Sequence, residues 1–197
     1  MRPLVFTSPY ALIFWAVYFW VFAPEFALIR RSQRRAANPD SPDAGSLLVV
    51  LVGFNIALAL AFVFAFIPAL RFPAAATLPA FWIGLALLIG GSLLRRHCWR
   101  VLGESFTGDV RALEGQQIID RGAYKWVRHP SYTAGIIIVL GIGAALTNWG
   151  SLLIPPLIAA AAYSYRIVVE ERALMNTLGD RYGSYARSRK RLIPFIV

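Results

Sequence analysis

Five apolar stretches (10–29, 47–70, 78–94, 132–146 and 152–169) punctuate this chain of 197 residues. Each reaches or approaches the roughly 20 residues that a helix needs to cross the hydrocarbon of a bilayer. Pro24 and Glu25 interrupt the first, and the fourth is short. Hydrophobic residues make up 58% of the chain and charged residues 15%. An ordinary soluble domain holds about 45–50% and about 25%, so the excess apolar surface needs lipid to face. The expected fold class is all-α, a polytopic membrane protein with about five transmembrane helices. The basic cluster Arg30, Arg31, Arg34 and Arg35 follows the first apolar core, opposite to the order in a cleaved signal peptide, so that segment is expected to stay as a helix.

The net charge of +10 comes from eighteen Arg, two Lys and ten acidic residues. These charges sit beside apolar runs, where a membrane protein needs Arg and Lys in its cytoplasmic loops, so no nucleic-acid partner is required. An external N-terminus places 18 of the 20 basic residues on the cytoplasmic side, leaving Arg2 and Arg71 opposite. The C-terminal tail is then cytoplasmic. A lone Cys98 excludes an internal disulfide and a cysteine-based zinc site.

The pattern divides the chain into an N-terminal three-helix membrane region, 1–94, and a second region, 95–197. The latter comprises a cytoplasmic loop 95–131, a helical hairpin 132–169 and a tail 170–197. Asn148-Trp149-Gly150 is a turn signal between the last two apolar runs and predicts a tight hairpin. Gly135, Gly141 and Gly143 are expected to let helices approach closely in lipid. The tail carries Leu174, Leu178, Tyr182 and Tyr185 at helical spacing, weakened by Gly179 and Gly183 and ended by Pro194. It reads either as an interfacial helix or as a lid over a site.

Ionisable groups near membrane depth mark functional positions. Arg166 and Glu170 are four apart, hence on one helix face, with Glu171 about a third of a turn away. If the helix ended there, an Arg followed by acids would oppose its dipole. In Arg128-His129-Pro130-Ser131-Tyr132, Pro130 suits a first helical turn, whose free N–H groups favour an anionic or accepting ligand group. His129 by itself also reads as a plain interfacial histidine. His97 and His129 have no recognised metal-ligand spacing, and no metal site is expected.

Gly122-Ala123-Tyr124-Lys125-Trp126-Val127-Arg128-His129-Pro130-Ser131-Tyr132, followed by Gly135, resembles the G-x-Y-x-x-x-R-H-P-x-Y-x-G signature of isoprenylcysteine carboxyl methyltransferases and related phospholipid methyltransferases. Arg166-x-x-x-Glu170-Glu171, Leu174, Gly179, Tyr182, Tyr185 and Leu192-Ile193-Pro194 resemble the C-terminal pattern of that family. Leu94-Arg95, Leu102-Gly103 and Phe106 match its upstream stretch, so the resemblance covers about residues 90–197. It implies a helical membrane enzyme that takes S-adenosyl-L-methionine from the cytosol. The cofactor site is then built by the long loop, the last hairpin and the tail.

By that resemblance Tyr124, His129, Pro130, Ser131, Tyr132 and Glu170 hold the cofactor. The family's H-x-L-V-T stretch, also at the cofactor, reads Gln116-Gln117-Ile118-Ile119-Asp120 here, with Gln for His and Asp for Thr. Arg166 matches the substrate-facing position and Arg95 a second arginine near the reacting group. The implied partners are a lipophilic small-molecule or lipidated substrate and membrane lipid. A carboxylate nucleophile is already ionised at neutral pH and needs a cation to orient it, a role suited to Arg. An amine or hydroxyl would need a base, for which Glu170 or His129 is available. Carboxyl O-methylation is therefore the leading expectation. A phospholipid amine N-methyltransferase, an NADPH-dependent sterol-type double-bond reductase and a non-catalytic scaffold are the alternatives.

Overall fold

A computed structural model describes residues 3–35, 45–103 and 117–193, the side chains of 27–35 excepted. Six α-helices account for most of them: α1 (Tyr10–Arg35), α2 (Ser46–Ala65), α3 (Ala74–Leu102), α4 (Pro130–Ala145), α5 (Trp149–Leu178) and α6 (Asp180–Ser188). Among the described residues there are no β-strands, only two isolated bridges. The all-α expectation is met. By length and apolar character α2, α3 and α5 are fit to span a membrane, whereas 10–26 of α1 and all of α4 are shorter apolar segments.

Lipid-facing character shows in what remains uncovered. In α2, the most apolar helix, only 11% of the spanning window is buried. Leu48, Val52, Ile56 and Val63 are exposed, and Ala57, Ala61 and Ala65 turn inward. Small residues inward and branched ones outward suit a helix whose solvent is as apolar as its neighbours, since packing then depends on close backbone approach. Gly53 of α2 meets Ala162 of α5, and Ser151 Oγ donates to the Ala61 carbonyl at 2.6 Å.

The tightest seam lies between α3 and α4. A Cβ on Gly84 would stand 2.6 Å from the Gly141 carbonyl oxygen, and one on Gly141 would stand 2.7 Å from the Leu88 nitrogen. The hairpin from α4 to α5 closes just as tightly, because a Cβ on Gly143 would meet the Leu152 Cα at 2.7 Å. Asn148 caps α5, its side-chain oxygen accepting from Gly150 N at 2.9 Å and Ser151 N at 3.3 Å. The same amide donates to the Ile67 carbonyl, and Phe72 N donates to Thr147 O, which ties this hairpin to the turn between α2 and α3. Helix α1 lies against α3 and stacks Trp15 on Phe62 of α2, at 5.7 Å between centroids.

Four helix ends differ from the sequence-based boundaries: α1 runs on past 29 to Arg35, α2 stops at Ala65, short of 70, and α3 and α5 both run on. Helix α3 continues through Arg95 and Arg96 to Leu102, and α5 continues through Glu170 to Leu178. Hydropathy registers where hydrocarbon ends, whereas the backbone stays helical in polar surroundings because Arg, Glu, Leu and Met are good helix formers. Arg166 and Glu170 are therefore not at a helix terminus, and the dipole conflict expected of them does not arise. The tail helix breaks at Gly179, which takes φ +51°, and α6 ends at Ser188. Pro194, expected to end it, lies outside the described residues.

Two glycines of α3 provide a matched test. Gly90 has open space around its Cβ position, so Gly90→Ala is expected to stabilise by about 0.5–1 kcal/mol through helix propensity. Gly84→Ala drives a methyl into the α4 backbone and is expected to destabilise by roughly 1–3 kcal/mol. Thermal unfolding of both variants in detergent reads the opposite signs.

Candidate active site

Pro130 opens α4 as its first residue, where the missing N–H leaves no helical bond unmade. This fixes His129 just before the helix and Tyr132 within its first turn, facing α5. The His129 and Tyr132 rings stack at 5.6 Å, and Tyr132 stacks in turn on Tyr163 of α5 at 4.9 Å. Gly135 makes the second stack possible, because a Cβ there would come within 2.8 Å of Tyr163 Cζ.

The Tyr132 hydroxyl joins the two ionisable residues of α5. It donates to Glu170 Oε2 at 2.6 Å and accepts from Arg166 Nε at 3.1 Å. Arg166 is buried and also donates from Nη1 to Ser46 Oγ, at the start of α2, at 3.0 Å. Glu170 keeps 31% of its side chain exposed, with His129 Nδ1 3.8 Å from Oε2. A guanidinium held by two hydroxyls thus lies behind a partly accessible carboxylate, beside a column of aromatic faces.

Glu171, one residue on, does something different. Its Oε1 lies 3.1 Å from His129 Nε2 and 3.2 Å from Arg128 Nη1, while Arg191 Nη2 donates to Oε2 at 2.9 Å. The C-terminal segment runs along the motif from there. Arg128 N donates to Lys190 O at 2.8 Å, His129 N to Arg191 O at 2.9 Å, and Thr133 Oγ1 to Leu192 O at 2.7 Å. Tyr185 of α6 donates to the Tyr124 carbonyl, and Arg189 pairs with Asp120 at 3.1 Å. The tail is a strap drawn across the start of α4.

Tyr124 is buried in the 3-10 turn Gly122–Lys125. Burial, reinforced by Cys98 and Glu170 nearby, pushes its phenol above the ordinary range. Tyr182 of α6 is buried, and its hydroxyl has no hydrogen-bond partner among the described residues. Burial and the Glu171 carboxylate push that phenol up as well, so it keeps its proton to donate.

Of the residues singled out from sequence, His129, Pro130, Ser131, Tyr132, Arg166 and Glu170 come together. Arg95 of α3 joins them by donating from Nη1 to the Ser131 carbonyl at 3.0 Å and to Ser131 Oγ at 3.2 Å. Gln117, Ile118 and Ile119 lie in non-helical chain leading to the Tyr124 turn, Gln117 exposed and the isoleucines half-buried. Gln116 and Phe106 lie outside the described residues. Sequence reasoning assigned no role to Glu25, Ser46 or Tyr163. It left Arg128 and Glu171 open and named Tyr182 only within a pattern. The available signal was Glu25 interrupting an apolar run; Ser46 and Tyr163 carried none.

Residues 82–176, from within α3 into the last turns of α5, match the model of the isoprenylcysteine carboxyl methyltransferase family. Protein-S-isoprenylcysteine O-methyltransferase B of Arabidopsis thaliana is 31% identical over 120 residues, 58% of this chain and 61% of that protein. The Schizosaccharomyces pombe protein-S-isoprenylcysteine O-methyltransferase is 33% identical over 114 residues, 57% of this chain and 48% of its own length. The chain thus spans less than two thirds of these two relatives. A probable protein-S-isoprenylcysteine O-methyltransferase of Oryza sativa subsp. indica aligns over 90% of this chain and 96% of its own, at 27% identity. Among solved structures, the eukaryotic intramembrane Ras methyltransferase matches with a TM-score of 0.68 over 98% of this chain and 70% of its own. At 24% identity that likeness speaks for the fold. With both motif blocks inside or beside the matched region, the stretch 82–176 is similar to the isoprenylcysteine carboxyl methyltransferase family.

Proposed function

We propose that this chain methylates the carboxylate of an isoprenylcysteine-like amphiphile at the membrane, using S-adenosyl-L-methionine. The observation that carries the reading is the Tyr132 hydroxyl, which links the buried Arg166 to the partly exposed Glu170. The relatives' names support the same reaction class. Orientation belongs to the proposal too: Arg95, Arg128, Arg166 and Arg191 gather at one end of the bundle, which supports a cytoplasmic site and an external N-terminus.

The residues present fit the cofactor. The Tyr132 ring and the Glu170 carboxylate suit a ligand with a cationic centre, because a phenol face and a carboxylate both attract positive charge, and His129 stacks against that ring. The buried Tyr182 hydroxyl, without a partner among the described residues, suits an acceptor elsewhere on the same ligand. Tyr124, Pro130, Ser131 and the 116–119 stretch complete the proposed cofactor set. When bound, S-adenosyl-L-methionine supplies a methyl group on a sulfonium, open to attack by a nucleophile.

The chain's own residues do the remaining work. A carboxylate is ionised near neutral pH, so no proton has to be removed and orientation becomes the task. Arg166, fixed by Ser46 and Tyr132, presents a planar fork suited to two-pronged contact with that group. Arg95 is the second cation. The strap at 189–192 covers the start of α4 and limits water at the reacting centre.

Calorimetry of detergent-solubilised protein with S-adenosylhomocysteine, against an NADPH control, tests the assignment; saturable binding of the former alone is expected. His129→Ala and Glu170→Ala are each expected to weaken that affinity about tenfold or more, as the loss of a charge-assisted hydrogen bond implies. Unchanged affinity in both refutes the cofactor assignment. Arg166→Lys keeps the charge but loses the fork. It is expected to cut turnover of S-farnesylcysteine by on the order of a hundredfold while cofactor affinity stays within about threefold. Glu171→Gln weakens the hold on Arg191, so protease cleavage after Lys190 is expected to accelerate, read by mass spectrometry.

A further inference from the structure

Glu25 is the only acidic residue of α1, set in its apolar run directly after Pro24. Proline has no N–H, so the carbonyl four residues earlier, that of Trp20, lacks its helical donor. Arg96 of α3 fills that vacancy: its Nη2 donates to Trp20 O at 2.6 Å, and its guanidinium carbon lies 3.9 Å from the centroid of the Trp20 ring. This contact registers α1 against α3. Next to it the Glu25 carboxylate pairs with Nε of Arg95, the residue before Arg96. Both side chains of that pair are only 16% exposed. Arg95 uses its other edge on Ser131, in the motif that opens α4.

We propose that Glu25 is a positioning residue for Arg95. Its carboxylate holds the Nε edge of the guanidinium, so that Nη1 stays on Ser131 and the cationic plane keeps a fixed attitude toward the reacting carboxylate. The inference rests on the role given to Arg95 under the proposed function. It takes the site beyond the matched stretch 82–176, into an N-terminal helix that carries no chemical motif. A bare neutralising pair predicts a different pattern, because losing it unsettles fold, cofactor binding and turnover alike.

The test uses the full chain in detergent. Glu25→Gln keeps an acceptor of the same shape and removes the charge, whereas Glu25→Asp keeps the charge. Glu25→Gln is expected to lower kcat for S-farnesylcysteine about tenfold or more, since small misplacements of an orienting group are costly. The Kd for S-adenosylhomocysteine is expected to move less than about threefold, with Glu25→Asp restoring part of kcat. In an Arg95→Gln background, Glu25→Gln is expected to add no further loss, as holds for residues that act through one another. Unchanged kcat in Glu25→Gln, additive losses in the double variant, or parallel loss of turnover, cofactor affinity and melting temperature each overturn the inference. If the wild-type chain transfers no methyl group at all, the proposed function fails, and NMR then decides the positioning separately. In arginine-15N-labelled protein the Arg95 Nε proton, assigned through Arg95→Gln, is expected to exchange slowly in wild type and fast in Glu25→Gln. Equal exchange in both refutes the positioning.

Discussion

An ionised side chain at the edge of hydrocarbon must be matched by another group, and the site end of this bundle is organised by that requirement. Arg95 is matched by Glu25, Arg166 by the hydroxyls of Tyr132 and Ser46, and Glu171 by Arg128, His129 and Arg191. Each match joins different elements: α1 to α3, α2 and α4 to α5, and the tail to both sides of the last hairpin. The contacts that satisfy these charged groups are therefore also the contacts that assemble the candidate site. Association of apolar helices in lipid gains nothing from hydrophobic burial, so these polar junctions and close packing carry the specificity.

Close packing sets the distances. Gly84 and Gly141 bring α3 and α4 together until backbone meets backbone, and Gly143 does the same for α4 and α5. Gly135 then leaves room for the Tyr163 ring, which stacks on Tyr132 and keeps its hydroxyl between Arg166 and Glu170. A methyl group at any of these glycines moves a helix or a ring. The groups of the candidate site sit on the helices so fixed, which suits the proposed task of orienting a nucleophile.

Adjacent carboxylates with unlike duties illustrate how far helical geometry reaches. Glu170 and Glu171 differ by about 100° around α5. One turns to Tyr132 and stays partly open; the other turns to His129 and anchors the strap through Arg191. His129 touches both, through Nδ1 at 3.8 Å and Nε2 at 3.1 Å. Any displacement of the strap is thus felt at the ring that faces the proposed cofactor.

Local chemistry made much of this legible in one dimension. The apolar runs predicted the helices, Pro130 the start of α4, Asn148 the hairpin, and the glycines the close seams, because each effect acts within a turn or two of its residue. The motif around His129 and the Arg166–Glu170 spacing marked residues that the fold brings together, for the same reason. Hydropathy misplaced the ends of α1, α2, α3 and α5, since it senses the solvent and not the backbone. Partners distant along the chain were beyond reach: Glu25 finds Arg95 seventy residues away, and Ser46 finds Arg166 across one hundred and twenty. The tail's strap depends on main-chain carbonyls, which carry no side-chain signature at all. The sequence by itself determined which residues could bear charge in a membrane and where helices begin. Only the tertiary structure decided which charges meet, because that depends on helix register, and register is set by the packing of many weakly specific apolar contacts at once.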